Sequence, residues 1–221
     1  MALRERIFAM TYDRQMAATE KAGLRALREG LLAGVSGDVL EIGSGTGANL
    51  SLYHPDHVSL TMTEPHPPML RRLERKVAEH ASAAKVFRAP AEDLPFEDST
   101  FDVAVSTLVL CGVDDQPRAL RELRRVLRPG GELLFIEHLR SDDPATARLQ
   151  DRLNWLNRLV VCCYCNRPTL STIRDAGFAI TRIQHTVLPK APKFARPCVV
   201  GSASAPAQAG QASVQSERAT R

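Results

Sequence analysis

The chain has 221 residues, more than one average domain needs and fewer than two comfortably fill, so one domain with an appendage is expected. At 44% hydrophobic and 24% charged it has an ordinary globular composition, which excludes a wholly disordered or collagen-like chain. The formal net charge of +4 rests mostly on Arg, because Lys occurs only at 21, 76, 85, 190 and 193. Much of the excess lies in two amphipathic stretches, MLRRLERKVAEH and ALRELRRVLR, where no aromatic residues interleave the charges. That pattern points to solvated helix faces and away from a nucleic-acid surface.

The longest uncharged stretch in the middle of the chain, Val103 to Val113, is well short of the roughly 18 apolar residues a membrane span needs. The N-terminal MALRERIFAMTYDRQ lacks the apolar region of a secretory signal, so a cytoplasmic protein with no transmembrane segment is expected. The five cysteines, at 111, 162, 163, 165 and 198, then read as free thiols in a reducing compartment. Cys162, Cys163 and Cys165 are a candidate soft-metal or arsenic site. Their spacing does not complete a four-ligand zinc set, and buried small hydrophobes are the reading preferred here, with no metal expected.

In chain order, residues 15 to 33 read as a leading helix with Leu24, Leu27, Leu31 and Leu32 on one stripe. GDVLEIG is a short buried strand running into a glycine-rich turn, and VSLTMTEP is a second strand stopped by Pro65. A helix follows from Pro67, then the strands AKVFRA and FDVAVSTL, the helix QPRALRELRRVLRPGG with its Pro-Gly-Gly stop, and the strand ELLFIEHL. Alternation of strand and helix with short connections means a parallel sheet covered on both faces. Beyond His138 come two helical stretches, then FAITRIQHTVL and PCVVGSA, two strands that could form an antiparallel pair at one edge. The folded domain is taken as 1–202 and residues 203–221, small and polar, as a disordered tail.

Val39-Leu40-Glu41-Ile42-Gly43-Ser44-Gly45-Thr46-Gly47 places glycines at a strand-to-helix turn, where backbone N–H groups can approach a ligand. Gly43, Gly45 and Ala48 also fit a dinucleotide fingerprint, with Glu64 about 20 residues on as the acid that binds ribose hydroxyls. This leaves a nicotinamide oxidoreductase and a methyltransferase both open. Downstream, Ala91-Glu92-Asp93-Leu94-Pro95-Phe96, Ser99-Thr100-Phe101-Asp102 and Val126-Leu127-Arg128-Pro129-Gly130-Gly131 follow in order at matching strand spacings.

With these segments the sequence resembles the class I S-adenosylmethionine-dependent methyltransferases over about residues 8 to 202, in the branch that includes the ubiquinone and menaquinone C-methyltransferases. Thr107-Leu108-Val109-Leu110-Cys111, Glu137-His138 and Cys165-Asn166 look more like the alkyl-thiol methyltransferases of vertebrates, whose N-terminal membrane anchor is not expected here. The resemblance implies an α/β fold with a Rossmann-like, doubly wound seven-stranded sheet, mostly parallel with an antiparallel edge strand. It implies S-adenosyl-L-methionine as cofactor, with Gly43, Ser44, Gly45 and Gly47 against the methionine part, Glu64 on the ribose, Ala91 with Glu92 at the adenine edge, and Thr107 with Leu108 closing over the methionine. Glu41 either holds the cofactor's amino group or caps the turn.

Methyl transfer from a sulfonium needs alignment more than acid catalysis, and a base matters only if the acceptor arrives protonated. His138, ending the fifth strand, is the candidate base, or else a histidine holding a loop. Tyr12 is a candidate lid residue, and Cys111 a candidate for the acceptor pocket. Trp155, Leu156, Leu159 and Tyr164 offer an apolar wall suited to a lipophilic acceptor, or are core. The expected function is methyl transfer to a small molecule, with a thiol as the leading acceptor. C- or O-methylation of a quinol or phenol, and cofactor binding without turnover, are the alternatives.

Overall fold

The structure is a computed structural model that describes residues 2–206. Seven strands form one sheet in the order β3-β2-β1-β4-β5-β7-β6, where β1 is Gly37–Ile42, β2 Val58–Thr63, β3 Lys85–Phe87, β4 Phe101–Thr107, β5 Leu127–His138, β6 Ala179–Val187 and β7 Pro197–Ser204. β1 to β5 pair in parallel, and β7 runs antiparallel to both β5 and β6. The antiparallel element therefore sits one place in from the edge, and β6 is the outermost strand. Switching the order outward from β1 to both sides leaves a crevice at the carboxyl ends of β1 and β4, where open α/β sheets take their ligands.

Residues alternate along each strand into two apolar cores. Leu40 and Ile42 of β1, Ala104 of β4 and Phe135 of β5 join Leu120 and Leu123 of α4 (Gln116–Val126) and Ile173 of α6 (Thr169–Asp175). Val39, Val105, Leu134 and Ile136 point the other way, toward Leu73 of α3 (Pro67–Glu79) and Leu31 of α2 (Arg25–Leu32). Each fully buried Leu or Phe contributes about 1.5–3 kcal/mol. The sheet is thus doubly wound, and its strand ends are held rigidly enough to place side chains.

Three boundaries differ from expectation. The leading helix is two helices, α1 (Ala2–Thr19) and α2, separated by a wide π-type turn in which Gly23 has φ 140°, a conformation glycine adopts without steric cost. β5 begins at Leu127, so Arg128-Pro129-Gly130-Gly131 lies within a bulged strand start instead of ending a helix. At the other end, the boundary expected at 202 falls short. β7 continues to Ser204, Ala203 and Ala205 are buried, and the Ala205 N–H donates to the Gly131 carbonyl at 2.8 Å. The remainder of the expected tail, from 207, lies outside the described residues.

Candidate active site

The turn after β1 is built from below. Glu41 is fully desolvated beneath it and accepts from the Tyr53 hydroxyl, while Ser44 Oγ donates to the Glu41 carbonyl at 3.2 Å. Burial pushes the Glu41 carboxyl up, and hydrogen bonds from Tyr53 and the nearby Arg28 charge pull it back in part. Its hydrogen bonds with Tyr53, Asn49 and Ser44 brace the turn from beneath. Gly43 and Gly45 both have left-handed φ, 53° and 57°. They differ in surroundings: a Cβ at Gly43 would lie 2.5 Å from Val109 Cγ1, whereas a Cβ at Gly45 meets nothing closer than the Gly43 carbonyl at 4.0 Å. Gly43 is therefore close-packed, and Gly45 faces open space.

Glu64, just beyond β2, closes the other side of the turn. Its Oε2 accepts from the Gly45 N–H at 3.0 Å and its Oε1 from the His66 N–H at 2.9 Å. A carboxylate has about four lone-pair sites, so hydroxyl donors such as those of a ribose can still be accepted. Burial raises this carboxyl, against the two N–H bonds and the His66 charge.

Sequence reading missed Arg28. It lies on α2 between leucines of the apolar stripe, only 3% exposed, with Nη1 donating to Asn49 Oδ1 at 3.0 Å and Thr107 Oγ1 at 2.7 Å, and Nε pairing with Glu20 at 3.1 Å. It brings Thr107 together with the turn, as Asn49 does through its own 3.1 Å bond to the same hydroxyl. Leu108 follows with φ 61°, a conformation that strains a bulky residue by about 1–2 kcal/mol, and its N–H donates to the Ile136 carbonyl at 2.7 Å. Strain of this kind collects where surroundings over-determine the backbone.

Above the turn, α1 is drawn down by Asp13, which accepts from Thr46 Oγ1 and pairs with Arg72 of α3. Tyr12 beside it is packed deeply enough for desolvation to raise its hydroxyl, and Arg28 and Cys111 are among its electrostatic neighbours. Tyr12 thus stands near both Arg28, which holds the turn, and Cys111. Ala91 is buried, while the Glu92 carboxylate accepts from the N–H groups of Asp114 and Asp115 at 2.8 and 3.2 Å and so braces the loop before α4. Two open surface hollows, one along Arg174–Ile183 and one between Gly30–Ser36 and Glu132, lie away from this crevice.

The loop after β4 is organised by Glu137, the residue before His138. Its buried carboxylate accepts from Ser106 Oγ at 2.7 Å and from the N–H groups of Val109, Leu110 and Cys111 at 3.0, 2.9 and 3.0 Å. Desolvation still leaves its pKa raised, since burial outweighs the four donors. The signal that could have found it is a carboxylate inside an otherwise apolar strand, which must be paired if buried. His138 next to it is itself buried, with Nδ1 3.5 Å from Cys111 Sγ and 3.2 Å from Cys163 Sγ. Its Nε2 makes no hydrogen bond of ordinary geometry, although the Ala195 backbone lies near enough to favour a proton on the ring. Burial disfavours the imidazolium, but the hydrogen bond to Cys111 and the Glu137 charge favour it, and the His138 pKa is raised.

The three clustered cysteines separate. Cys162 has φ 57° at the end of α5 (Pro144–Val161) and is exposed; that left-handed turn swings Cys163 inward to His138, and Cys165 packs against Asn154. Trp155, Leu156 and Leu159 are not core: they are 65%, 38% and 52% exposed along α5. The guanidinium groups of Arg158 and Arg167 lie over the Tyr164 ring, 4.8 and 4.2 Å from its centroid.

A family described as a methyltransferase domain matches residues 40–135. Human thiol S-methyltransferase TMT1A is 33% identical over 213 residues, covering 89% of this chain and 82% of the relative. The ubiquinone/menaquinone biosynthesis C-methyltransferase UbiE of Hahella chejuensis is 33% identical over 129 residues, 56% of this chain and 51% of its own length. A solved S-adenosylmethionine-dependent methyltransferase of Thermotoga maritima, a possible histamine N-methyltransferase, shares the fold with a TM-score of 0.67 at 22% identity, over 93% of this chain and 100% of that one. The chain therefore belongs to the class I S-adenosylmethionine-dependent methyltransferases. Within that class it has both thiol S-methyltransferases and quinone C-methyltransferases as relatives, and it takes S-adenosylmethionine as its methyl donor. The open face at Gly45, with Glu64 beside it, fits that donor. No helix among the described residues is long and apolar enough to cross a membrane.

Proposed function

We propose that the protein methylates the sulfur of a lipophilic small-molecule thiol, with His138 taking the acceptor's proton. The single observation that carries this reading is geometric: a buried imidazole ends β5, at the carboxyl end of the sheet where the glycine turn also lies, with Nδ1 held at 3.5 and 3.2 Å from the Cys111 and Cys163 sulfurs. The similarity to a human thiol S-methyltransferase supports the same acceptor class. S-Adenosylmethionine, when bound, supplies a methyl group on a sulfonium. Glu41, Gly43, Ser44, Gly45, Gly47, Glu64, Ala91, Glu92, Thr107 and Leu108 would hold it, and Arg28, paired with Glu20, would be a buried cation near its carboxylate.

A thiol with an ordinary pKa near or above 8.5 is mostly protonated at neutral pH, and the thiolate is the nucleophile. His138 would take the S–H proton and so leave the acceptor as the thiolate that the donor's methyl group requires. Tyr12 and Cys111 would border the acceptor. Residues up to about 205 make one catalytic domain, and the free thiols suit a reducing compartment such as the cytoplasm.

The test is initial-rate measurement with labelled donor on thiols, quinols, phenols and amines of matched hydrophobicity. Thiols should be the fastest class by tenfold or more. Quinols turned over while thiols are ignored would favour C- or O-methylation, and donor binding without turnover on any class would leave a cofactor-binding protein.

A further inference from the structure

Cys111, His138 and Cys163 come from three separate elements, the loop after β4, the end of β5 and the turn after α5, yet their ligand atoms all lie within 4.8 Å of one another. All three residues are buried. An ion bonded to sulfur at about 2.3 Å and to nitrogen at about 2.0–2.1 Å, at tetrahedral angles, separates the two donors by about 3.6 Å. The His138 Nδ1 to sulfur separations of 3.5 and 3.2 Å are already close to that.

The frame around the cluster is fixed before any ion arrives. Cys111 N–H is held by Glu137, the Cys111 carbonyl accepts from the Tyr164 N–H at 2.8 Å, and the Cys163 carbonyl accepts from Asn157 Nδ2 at 2.8 Å. Cys165 and Cys198 direct their sulfurs elsewhere, to Asn154 and to the Val199 carbonyl. Two thiolates, a neutral imidazole and a divalent ion sum to zero charge, the state a buried site accommodates most readily.

We propose that Cys111, Cys163 and His138 Nδ1 form a three-donor site for one thiophilic divalent ion of the zinc type, and that the bound ion holds methyl transfer off. The second half rests on the reading of His138 as the base. Binding converts two thiols to thiolates and releases two protons as two metal–sulfur bonds and one metal–nitrogen bond form. A neutral imidazole has one free lone pair. An ion that takes it at Nδ1 leaves the ring without a nitrogen able to accept the acceptor's proton.

The experiment uses the full chain, reduced with a phosphine, stripped with a chelator, loaded with zinc and desalted. One zinc per chain is expected, with two protons released, and cobalt in its place should give thiolate-to-metal absorption in the near ultraviolet. Cys111→Ser and Cys163→Ser, checked for folding by circular dichroism, should bind at least tenfold more weakly, while Cys162→Ser should bind like the parent. Zinc-loaded protein should turn over at least tenfold more slowly than stripped protein and recover with chelator. No retained zinc, or equal retention in Cys163→Ser, overturns the site, and full turnover by zinc-loaded protein overturns the inhibition. Zinc bound through these residues by a stripped protein that methylates no thiol upholds the site and strikes the acceptor reading instead.

Discussion

Gly43 and Gly45 are two residues apart, share a left-handed backbone and have different jobs. Gly45→Ala adds a methyl group to open space and costs about 1–2 kcal/mol of backbone strain, so the protein should fold and lose donor affinity. Gly43→Ala drives a methyl into Val109 and should cost the fold itself. Thermal melting with titration of S-adenosylhomocysteine separates them, and near-normal affinity in folded Gly45→Ala would make the turn purely structural. Glu64→Ala should weaken the same ligand by about 1.5–3 kcal/mol, roughly 10- to 100-fold, because a charged acceptor is lost from paired hydroxyls. Glu137→Ala leaves a hydroxyl and three N–H groups without their acceptor, at about 1–3 kcal/mol for each group that stays dry, and should lower the melting temperature far more than Glu92→Ala, whose partners are exposed. His138→Ala should lower turnover by about 10²–10⁴, with a deficit that shrinks as rising pH ionises the acceptor unaided. An equal loss at every pH would make His138 a positioning residue.

The elements divide between those that hold the crevice and those that cover it. Asp13 ties α1 to the turn and to α3, through Thr46 and an exposed pair with Arg72. Asp13→Ala should release bound S-adenosylhomocysteine several-fold faster in stopped flow with little change in melting, since such exposed pairs contribute about 0–1 kcal/mol. α5 is fastened to the loop after β5 by Arg140, whose guanidinium holds the Asp151 carboxyl down at about 2. This depressed acid favours the folded state above its ordinary value near 3.8, and the contribution is lost as pH falls toward 2; a carboxyl carbon titration by NMR should find that low midpoint in the parent and a higher one in Arg140→Gln. β1, β2 and β4 were legible because buried parallel strands are short apolar runs ended by turn residues. The α1–α2 break was not, since Gly23 interrupts a pattern that stays helical on both sides. Arg28 was equally hidden: a cation inside an apolar stripe reads as solvent-facing until its partners, 21 and 79 residues away, are in place.

Across the whole molecule, the strand-end segments proposed to hold the donor were readable and the Cys111, His138 and Cys163 cluster proposed to face the acceptor was not, for a physical reason. The donor half is a sequence of strand ends in fixed order, each marked by glycine or acid, whereas the acceptor half depends on Cys163 swinging inward while Cys162 points out, a consequence of one left-handed residue at the end of α5. The exposed Trp155 and Leu159 face likewise has helical spacing that cannot by itself distinguish core from surface. The most direct measurement is therefore one that makes the acceptor half choose. A single aromatic acceptor carrying both a thiol and a phenol is incubated with methyl-labelled S-adenosylmethionine and the metal-stripped protein, and the product is mapped by mass spectrometry and carbon NMR. Label on sulfur, abolished by His138→Ala at neutral pH and partly regained at high pH, is the result expected of a thiol methyltransferase with a histidine base; label on oxygen or a ring carbon, with the sulfur unmodified, would contradict it.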